Sequence, residues 1–357
     1  MYEIVFVNKG ESVKWNNFVE SHGTLLQSFE WGELKAKFGW QFFPLALVER
    51  VTSSNSEKIG EGTILGAALI LEKKLPLGKT FFYCPQGPVL DCAPWEFEKM
   101  KKYLNLFLAK IRELARKRKA IFLRVDPSFS KTEFDLRTLR SLGFRKGFEE
   151  IQPECTLKVE LSPSEEEILA QMKQKGRYNI KIATKRKVKV EESSGLMGTK
   201  VFLAMHQETA QRDKFATHGS EYLTELIKML GKKDWGSLFI ARHEGSALAA
   251  ILVSFFGKEA VYLYGASSSE KRELMPTYLV QWEAMKKAKK RGLEKYDFWG
   301  IAPTDDPNHH WAGLRRFKTQ FGGRQIDYIG SWDLVFKPLW YRGFEMAEKF
   351  RRKMAKK

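Results

Sequence analysis

Residues 80–125 read TFFYCPQGPVLDCAPWEFEKMKKYLNLFLAKIRELARKRKAIFLRV, and the order of apolar and polar blocks in this stretch indicates the fold class. The run from Thr80 to Cys84 predicts a strand, and a loop containing Gln86-Gly87-Pro88 follows it. A second strand is predicted from Ala120 to Val125, after which the chain reaches Asp126-Pro127. Between the strands, apolar residues at helical spacing predict a helix: Phe97, Met100, Leu104, Phe107, Ile111 and Leu114.

The same strand, helix, strand order returns later in the chain. Ala260 to Gly265 and Leu293 to Trp299 read as strands, and Tyr278 to Lys290 reads as the helix between them. The duplication is one of architecture and not of residue identity. It predicts two similar α/β domains in tandem, joined between Gln152 and Pro163. Further strands are predicted ahead of each unit, at Ile64 to Leu71, Ser237 to Ala241 and Ala247 to Phe256.

The composition is that of a folded protein with an anionic partner. A chain of 357 residues is longer than one core usually serves, which also favours two domains. Its 61 Lys and Arg residues against 43 Asp and Glu residues give a net charge of +18. This excess indicates a polyanion, a phosphorylated substrate or an anionic membrane surface, and it does not choose among them.

Cysteine usage and hydropathy favour the cytoplasm. Cys84, Cys92 and Cys155 are odd in number and lack metal-ligand spacing, so neither a disulfide framework nor a metal site is predicted. The N-terminus, MYEIVFVNKG, reads as a first strand and not as a signal peptide. The longest apolar run, Ala247 to Gly257, is too short to span a bilayer. We therefore expect a cytoplasmic protein, and contact with the inner face of the membrane stays open.

A basic segment is a candidate for binding phosphate groups. A helix is predicted between Ser162 and Val190, with Ser162 as its cap, Pro163 in its first turn and three glutamates after them. The segment is either a solvated helix face or a surface that follows phosphates. Its later part is a run of cations without an acid: Lys173, Lys175, Arg177, Lys181, Lys185, Arg186, Lys187 and Lys189.

The C-terminal helix is also basic. Its apolar positions, Phe344, Ala347, Phe350 and Met354, are predicted to share one side, and cations cluster at its end. This side either packs on the helix's own domain or lies at a membrane surface.

Five short motifs, in the same order over nearly the whole chain, resemble those of the Fem-type (FemABX) peptidoglycan aminoacyltransferases. Each motif alone is weak, and the specific signal is their order. They are Gln27-Ser28-Phe29-Glu30-Trp31-Gly32-Glu33-Leu34-Lys35 with Gly39-Trp40, Tyr83-Cys84-Pro85-Gln86-Gly87-Pro88-Val89, Arg177-Tyr178-Asn179-Ile180-Lys181, Tyr264-Gly265-Ala266-Ser267-Ser268, and Phe317-Lys318 with Phe321-Gly322-Gly323.

The resemblance implies an α/β (α+β) fold of two tandem GNAT-like acyltransferase domains. They would comprise residues 1–158 and 159–331, with the helix 332–357 completing the first. The implied activity moves an amino acid from aminoacyl-tRNA to the stem-peptide amine of a UDP-linked or lipid-linked peptidoglycan precursor, by a monomeric enzyme. Some members carry a paired helical arm in the second domain. Only one helix, Glu221 to Leu230, fits between Phe215 and Gly236, so the chain resembles the armless, FemX-like type.

The chemistry of this transfer requires no cofactor. An activated ester reacts with an amine once both are positioned and the oxyanion is stabilised, so no metal and no nucleophilic Ser or Cys is needed. Acyl-CoA binding in this fold uses a glycine-rich loop whose N–H groups face the pyrophosphate. The corresponding loop, Ser267 to Pro276, has no glycine and ends in a residue without an N–H.

The resemblance also assigns residue roles. Lys318, with Phe317, would stabilise the tRNA phosphate or the developing oxyanion, within the cation-rich and aromatic stretch Arg315 to Gly323. Asp126 matches an acid that steers the amine, and its alternative is a turn cap. Lys318 has the alternative of an exposed lysine beside a core Phe. In the precursor site, Lys35 and Arg212 would bind the diphosphate and Tyr264 would line the site, and Phe215 stands where a Tyr is expected. The residues that would contact tRNA are Arg177, Lys181, Lys185 and Lys189.

Two other functions stay open on the sequence. One is a GNAT-like acyltransferase that uses acyl-CoA or an acyl carrier on a lipid or sugar amine, which the loop from Ser267 to Pro276 disfavours. The other is a non-catalytic protein that binds RNA or a membrane surface.

Overall fold

The computed structural model describes residues 1–50, 62–213 and 217–355, and the chain divides into two compact units. Unit 1 comprises Met1–Glu154 and Asp327–Lys357, and unit 2 comprises Cys155–Ile326. The two boundaries between the units, after Glu154 and after Ile326, lie a few residues before the predicted divisions at 158 and 331. The expected mixed α/β fold with two sheets is confirmed.

Unit 1 is built around a mixed sheet with the strand order β1-β2-β3-β4-β6-β15-β7, and β5 pairs with β3. Strands and helices are numbered through the whole chain. Its elements are β1 (Tyr2–Phe6), α1 (Ser12–His22), α2 (Phe29–Lys37), β2 (Trp40–Glu49), β3 (Thr63–Lys74), β4 (Thr80–Cys84), β5 (Val89–Leu90), α3 (Phe97–Arg118), β6 (Ala120–Val125), α4 (Arg137–Ser141), β7 (Arg145–Lys146), β15 (Trp332–Val335) and α11 (Pro338–Ala355).

The strand, helix, strand stretch quoted above forms as its pattern predicts. β4 and β6 have the predicted bounds and pair in parallel, with α3 as the crossover. The apolar stripe of α3 is buried in the core of unit 1, because residues at i, i+4 and i+7 share one helix face: Met100, Leu104, Phe107 and Ile111. The helix ends at Lys119, which adopts a left-handed backbone conformation with a φ of +56°.

The end of the chain returns to unit 1 as a strand as well as a helix. Residues 332–335 form β15, which pairs antiparallel with both β6 and β7, and only residues 338–355 form the helix α11. The resemblance therefore predicted the helix and missed the strand. The missed strand is central to the sheet, because its register places Trp332 beside Val125 and Val335 beside Phe122.

A buried ion pair holds the returning segment. The Arg124 guanidinium donates to both carboxylate oxygens of Asp333, with both nitrogen–oxygen distances 2.7 Å. Arg124 also donates to Glu149 at 2.7 Å, and the Tyr341 hydroxyl of α11 donates to Asp333 at 2.6 Å. A buried carboxylate is stable only when its oxygens are hydrogen-bonded in this way, so the network ties β6, β15 and α11 together.

Unit 2 repeats the architecture of unit 1 with a sheet ordered β14-β8-β13-β12-β11-β10-β9. Its crossover helix α9 buries Leu279, Val280, Met285 and Ala288 against the sheet. Its elements are β8 (Cys155–Glu160), α5 (Glu165–Gln171), α6 (Gln174–Lys185), β9 (Lys189–Ser193), α7 (Leu196–Asp213), α8 (Ser220–Lys232), β10 (Gly236–His243), β11 (Ser246–Phe256), β12 (Glu259–Ser267), α9 (Pro276–Lys290), β13 (Lys295–Gly300), α10 (Ala312–Lys318) and β14 (Arg324–Asp327).

The single helix predicted between Ser162 and Val190 is wrong. The chain forms α5 and α6 with a break at Met172 and Lys173, and Lys189 lies at the start of β9. The cap is Ser164, whose hydroxyl accepts from the Glu167 N–H, and not Ser162. The break has a tertiary cause, because the Lys173 N–H donates to the Gln320 carbonyl at 3.0 Å instead of continuing the helix.

Within the described residues, none of the helices is both long and apolar enough to cross a lipid bilayer.

The buried ion pair generates a stability prediction. Asp333→Ala leaves the Arg124 charge buried without this partner and is expected to lower the free energy of unfolding of unit 1 by about 3–5 kcal/mol. Urea denaturation and hydrogen exchange of β6 and α11 measure the change. Glu345→Ala, which removes an exposed pair with Lys349, is the matched control and should cost less than about 1 kcal/mol. Equal effects of the two variants would contradict the stabilising role of the network.

Candidate functional site

Two parallel strands of unit 2 are paired over only part of their length. β12 and β13 pair only at Glu259–Val261 with Lys295–Asp297, although β12 continues to Ser267 and β13 to Gly300. Leu252 of β11 is in register with Tyr264 of β12, and Val253 of β11 is in register with Tyr262. Leu263 of β12 is therefore an extra residue, which forms a bulge. A bulge bends its strand and re-aims the neighbouring side chains. It lies at the point where β12 departs from β13.

Tyr262 lies on β12, next to the last residue that pairs with β13. Its ring centroid is 6.4 Å from that of Phe298 on β13, in an edge-on arrangement. A Cβ atom at Gly265 would overlap the Tyr262 hydroxyl, which approaches the backbone at that residue. The glycine of the Tyr-Gly-Ala-Ser-Ser motif is therefore required by the position of Tyr262.

Lys318, the predicted catalytic residue, is buried at the end of β13. It is the last residue of α10 and is 5% exposed, and its Nζ donates to the Gly300 carbonyl at 2.8 Å. Nζ also lies 5.4 Å from the centroid of the Tyr262 ring. Burial lowers the pKa of Lys318 to about 8, and the charge of Asp297 partly opposes this shift. The alternative of an exposed lysine is not what the structure shows.

Phe317 packs into the core behind Lys318. Its ring lies 5.1 Å from that of Tyr278 and 5.4 Å from that of Phe321. The Phe321 ring in turn stacks on Phe298 at 4.9 Å. These rings pack the end of α10 against the core of unit 2.

Asp297 is a site residue that the sequence analysis missed. It is buried in β13, and its Oδ1 accepts from the Trp299 N–H at 2.7 Å and from the Thr156 hydroxyl. The Lys158 ammonium is 3.7 Å from its Oδ2. Burial raises the pKa of Asp297, against the effect of Lys158. A carboxylate in an otherwise apolar strand was the signal that could have identified it.

Asp297 shapes the backbone that Lys318 contacts. The register of β13 against β8 shifts between Asp297 and Gly300, and Trp299 has a φ of +60°. Such a backbone conformation is rare for a residue with a bulky side chain, and here the Asp297 carboxylate holds it by accepting from the Trp299 N–H. The next residue presents its carbonyl to Lys318.

The Gly-Gly turn after Lys318 packs against unit 2 backbone. Gly322 and Gly323 have φ values of +76° and +87°, and added Cβ atoms would lie 2.8 Å from the Gln171 carbonyl and 2.5 Å from the Lys158 carbonyl. Only glycine fits both constraints. An open groove of about 600 Å³ lies beside the turn, and its cationic lining comes from Lys158, Lys295 and Arg324.

The start of the basic helix α6 adjoins the same turn. The Lys173 N–H donates to Gln320, and a Cβ atom at Gly176 would lie 2.4 Å from the Gln320 carbonyl, so helix and turn are in close contact. Lys181 and Lys185 are exposed further along α6. Arg177 differs from them, because its guanidinium donates to the Ala170 and Met172 carbonyls at the end of α5.

Arg212 and Tyr264 lie at neighbouring ends of unit 2 elements. Arg212 ends α7, where it donates to the Ser267 carbonyl at 2.8 Å and pairs in a bidentate manner with Asp213. The Tyr264 ring is edge-on to His206 at 6.0 Å and to His218 at 6.3 Å. Burial raises the pKa of Tyr264 to about 12. Phe215, the remaining predicted residue here, lies outside the described residues.

In unit 1, Lys35 lies in the last turn of α2, a helix capped by the Ser28 hydroxyl on the Trp31 N–H. Its Nζ is 5.1 Å from the centroid of the Trp31 ring. Burial and the charge of Lys73 lower the pKa of Lys35 to about 8. The Trp31 indole nitrogen is buried and has no hydrogen-bond partner among the described residues, a second feature that the sequence analysis missed.

Asp126, also in unit 1, closes the loop that follows β4. Its two carboxylate oxygens accept from the Tyr83 hydroxyl and from the Gln86 N–H, each at 2.6 Å. The Gln152 amide donates to the Tyr83 hydroxyl at 2.8 Å. Burial raises the pKa of Asp126 to about 7. This geometry matches the turn-cap alternative for Asp126.

Comparisons with known proteins give matches over nearly the whole chain. A family model described as FemAB family matches residues 11–242 and 237–349. A protein named Lipid II:glycine glycyltransferase from Staphylococcus epidermidis is 27% identical over 413 aligned positions, covering 95% of this chain and 94% of its own length.

Among solved structures, the crystal structure of FemX aligns with a TM-score of 0.83 at 25% identity, covering 96% of this chain and all of that chain. A tandem GNAT protein from the clavulanic acid biosynthesis pathway aligns with a TM-score of 0.52 at 12% identity, covering 94% of this chain and 98% of that chain. The second likeness concerns the fold alone, and it confirms the tandem GNAT architecture.

The two lowered lysine pKa values can be measured directly. With ¹³Cε-labelled lysine, NMR titration should show two resonances with midpoints near pH 8, against about 10.4 for exposed lysines. Lys318→Met should remove one resonance and Lys35→Met the other. Asp297→Asn should lower the Lys318 midpoint further, because the negative charge of Asp297 raises it. If every lysine titrates near pH 10, the desolvated site is contradicted.

Proposed function

The chain belongs to the FemAB family, and from this premise we propose that it moves an amino acid from aminoacyl-tRNA to the stem-peptide amine of a peptidoglycan precursor. Its relatives are glycyltransferases that match almost end to end, so the chain is a transferase. The name of the Staphylococcus epidermidis relative makes glycine and a lipid-linked precursor the first donor and acceptor to test. Such a transfer would contribute to interpeptide bridges of the cell wall.

The proposed reaction is an aminolysis of an ester. The acceptor nitrogen attacks the ester carbonyl, the C–N bond forms, and the carbonyl oxygen becomes an oxyanion. When the intermediate collapses, the ester C–O bond breaks, and the ribose hydroxyl leaves with the proton that the amine gives up. The protein must position the two substrates and stabilise the oxyanion.

Buried Lys318, which contacts Gly300 of β13 and the Tyr262 ring of β12, is the observation that carries the proposal. With a pKa lowered to about 8, this lysine still favours the charged ammonium at pH 7. One N–H bond is used on the Gly300 carbonyl, and the ammonium has two more to offer an oxyanion or a phosphate. A desolvated cation interacts more strongly with developing negative charge than an exposed one.

We propose that Lys35 binds an anionic group of the precursor, such as its diphosphate. Its lowered pKa reflects a desolvated ammonium, and a bound phosphate would restore the charged form. The unpartnered indole N–H of Trp31 is a neutral donor beside it. Arg212 is differently placed, because it must release Asp213 before its guanidinium can turn to a diphosphate.

We propose that α6 follows the phosphates of the tRNA. Its start is fixed to the turn after Lys318, and Lys185 lies about 14 Å further along the helix axis, at about 1.5 Å per residue from Gly176. Lys181 and Lys185 are one turn apart on the same exposed face. The helix therefore presents cations at a distance that a nucleic acid backbone bound near Lys318 can reach.

Lys318→Met tests the proposal most directly. The replacement keeps the length of the side chain and removes the charge, so turnover should fall about tenfold to a hundredfold, as expected for one lost transition-state contact. Product mass after incubation with charged tRNA and precursor reports turnover, and circular dichroism reports folding. Lys200→Met, at an exposed lysine of α7, is the matched control. Unchanged turnover in Lys318→Met would overturn the catalytic role.

Charge reversal on α6 tests the tRNA surface. Lys181→Glu with Lys185→Glu should raise the Michaelis constant for aminoacyl-tRNA and flatten the slope of log affinity against log salt by roughly two units. The constant for the precursor should stay the same. Lys189→Glu, on β9, measures how far the surface extends beyond the helix. A wild-type salt slope in the double variant would assign α6 to an ordinary solvated face.

A further inference from the structure

The C-terminal helix α11 has one packed face and one exposed apolar face. On the packed face, Tyr341 and Phe344 lie against Phe122, with ring centroids 5.2 Å and 5.4 Å from it. Phe344 was predicted to share a side with Phe350 and Met354. The structure separates them, because Phe344 packs on unit 1 and the other two are exposed.

The exposed apolar stripe consists of Leu339, Met346, Phe350 and Met354. These side chains are 82%, 72%, 67% and 58% exposed, respectively. Their spacing of seven, four and four residues places them on one line along the helix, which is about 27 Å long at about 1.5 Å per residue. Single exposed apolar residues are ordinary on protein surfaces, but a continuous line of large ones marks a binding face.

Cations border the exposed stripe on both sides. At about 100° per residue, Arg342, Lys349 and Lys353 fall along one edge and Arg351 along the other. The helix's acids lie toward the packed side, where Glu345 pairs with Lys349 and Glu348 with Arg351.

The start of α11 adds further positive charge. The Lys79 ammonium lies 4.6 Å from the centroid of the Trp340 ring, which is itself partly exposed. Burial and the charges of Lys79 and Lys119 lower the pKa of Lys337. Cations therefore lie near the beginning of α11, where an anionic surface would stabilise them.

We propose that the exposed face of α11 binds the surface of an anionic lipid bilayer, with the helix axis in the plane of the membrane. An apolar line between cations fits the boundary between acyl chains and acidic headgroups. A second copy of the chain would bring the same cations together, which like-charge repulsion disfavours. The purpose of this binding rests on the proposed function. Membrane binding would hold the enzyme at the surface where a lipid-linked acceptor is located.

Vesicle binding of the full chain tests the proposal. The wild type should float with vesicles of phosphatidylglycerol and phosphatidylcholine and not with vesicles of phosphatidylcholine alone. Phe350→Ser with Met354→Ser should lower the partition coefficient at least about tenfold, and Arg342→Glu with Lys353→Glu should do the same. Leu196→Ser with Met197→Ser, at two comparably exposed apolar residues of α7, is the matched control and should bind as the wild type.

Three outcomes would overturn the proposal. The first is that no vesicle binding occurs, and the second is that the serine variant at the stripe binds as the wild type. The third is a concentration-dependent dimer that the serine variant abolishes, since this would assign the stripe to a second copy. Turnover of a UDP-linked precursor and of a lipid-linked precursor in neutral detergent, neither of which requires a bilayer, separates this test from the proposed function. A stripe variant that keeps this turnover and loses vesicle binding supports both, and a wild type that binds vesicles without any turnover contradicts the proposed function alone.

Discussion

The separation of β12 from β13 after three paired residues is the constraint on which the candidate site of unit 2 depends. Parallel strands that stay paired leave no room between them, whereas strands that part expose backbone groups that need new partners. Here the Gly300 carbonyl accepts a hydrogen bond from the Lys318 ammonium and not from a neighbouring strand. Three features lie close to the point where the strands part: the bulge at Leu263, the left-handed backbone of Trp299 and the buried Asp297 carboxylate.

Unit 1 has the same architecture without this separation of its parallel strands. Its corresponding strands, β4 and β6, pair up to their last residues, Cys84 and Val125. The next residue, Asp126, accepts from Tyr83 and Gln86 and so closes the end of the pair. The two units therefore differ in this strand pair, which separates in unit 2 and stays paired to its end in unit 1. This difference explains why a lysine is buried at the strand ends of unit 2, whereas a carboxylate holds those of unit 1.

The predictions succeeded where structure depends on neighbouring residues. The bounds of β4 and β6, and the apolar stripe of α3, follow from local pattern because a strand or an amphipathic helix buries its own alternating or periodic side chains. The predictions failed where a distant residue decides. The break before α6 needs the Gln320 carbonyl, and the identity of residues 332–335 as a strand needs the free edges of β6 and β7.

In the candidate site too, local sequence predicts some features and distant residues decide others. Lys318 was identified through its motif, but its burial and lowered pKa depend on β13 and Tyr262, which pattern alone does not bring to it. Asp297 and the Trp31 indole were overlooked, because their roles arise from what surrounds them.

β15 has a consequence for synthesis as well. Unit 2 is one continuous segment and can fold while the chain emerges, whereas the sheet of unit 1 stays incomplete between β6 and β7 until the last part of the chain is made, so the N-terminal unit is the later one to finish.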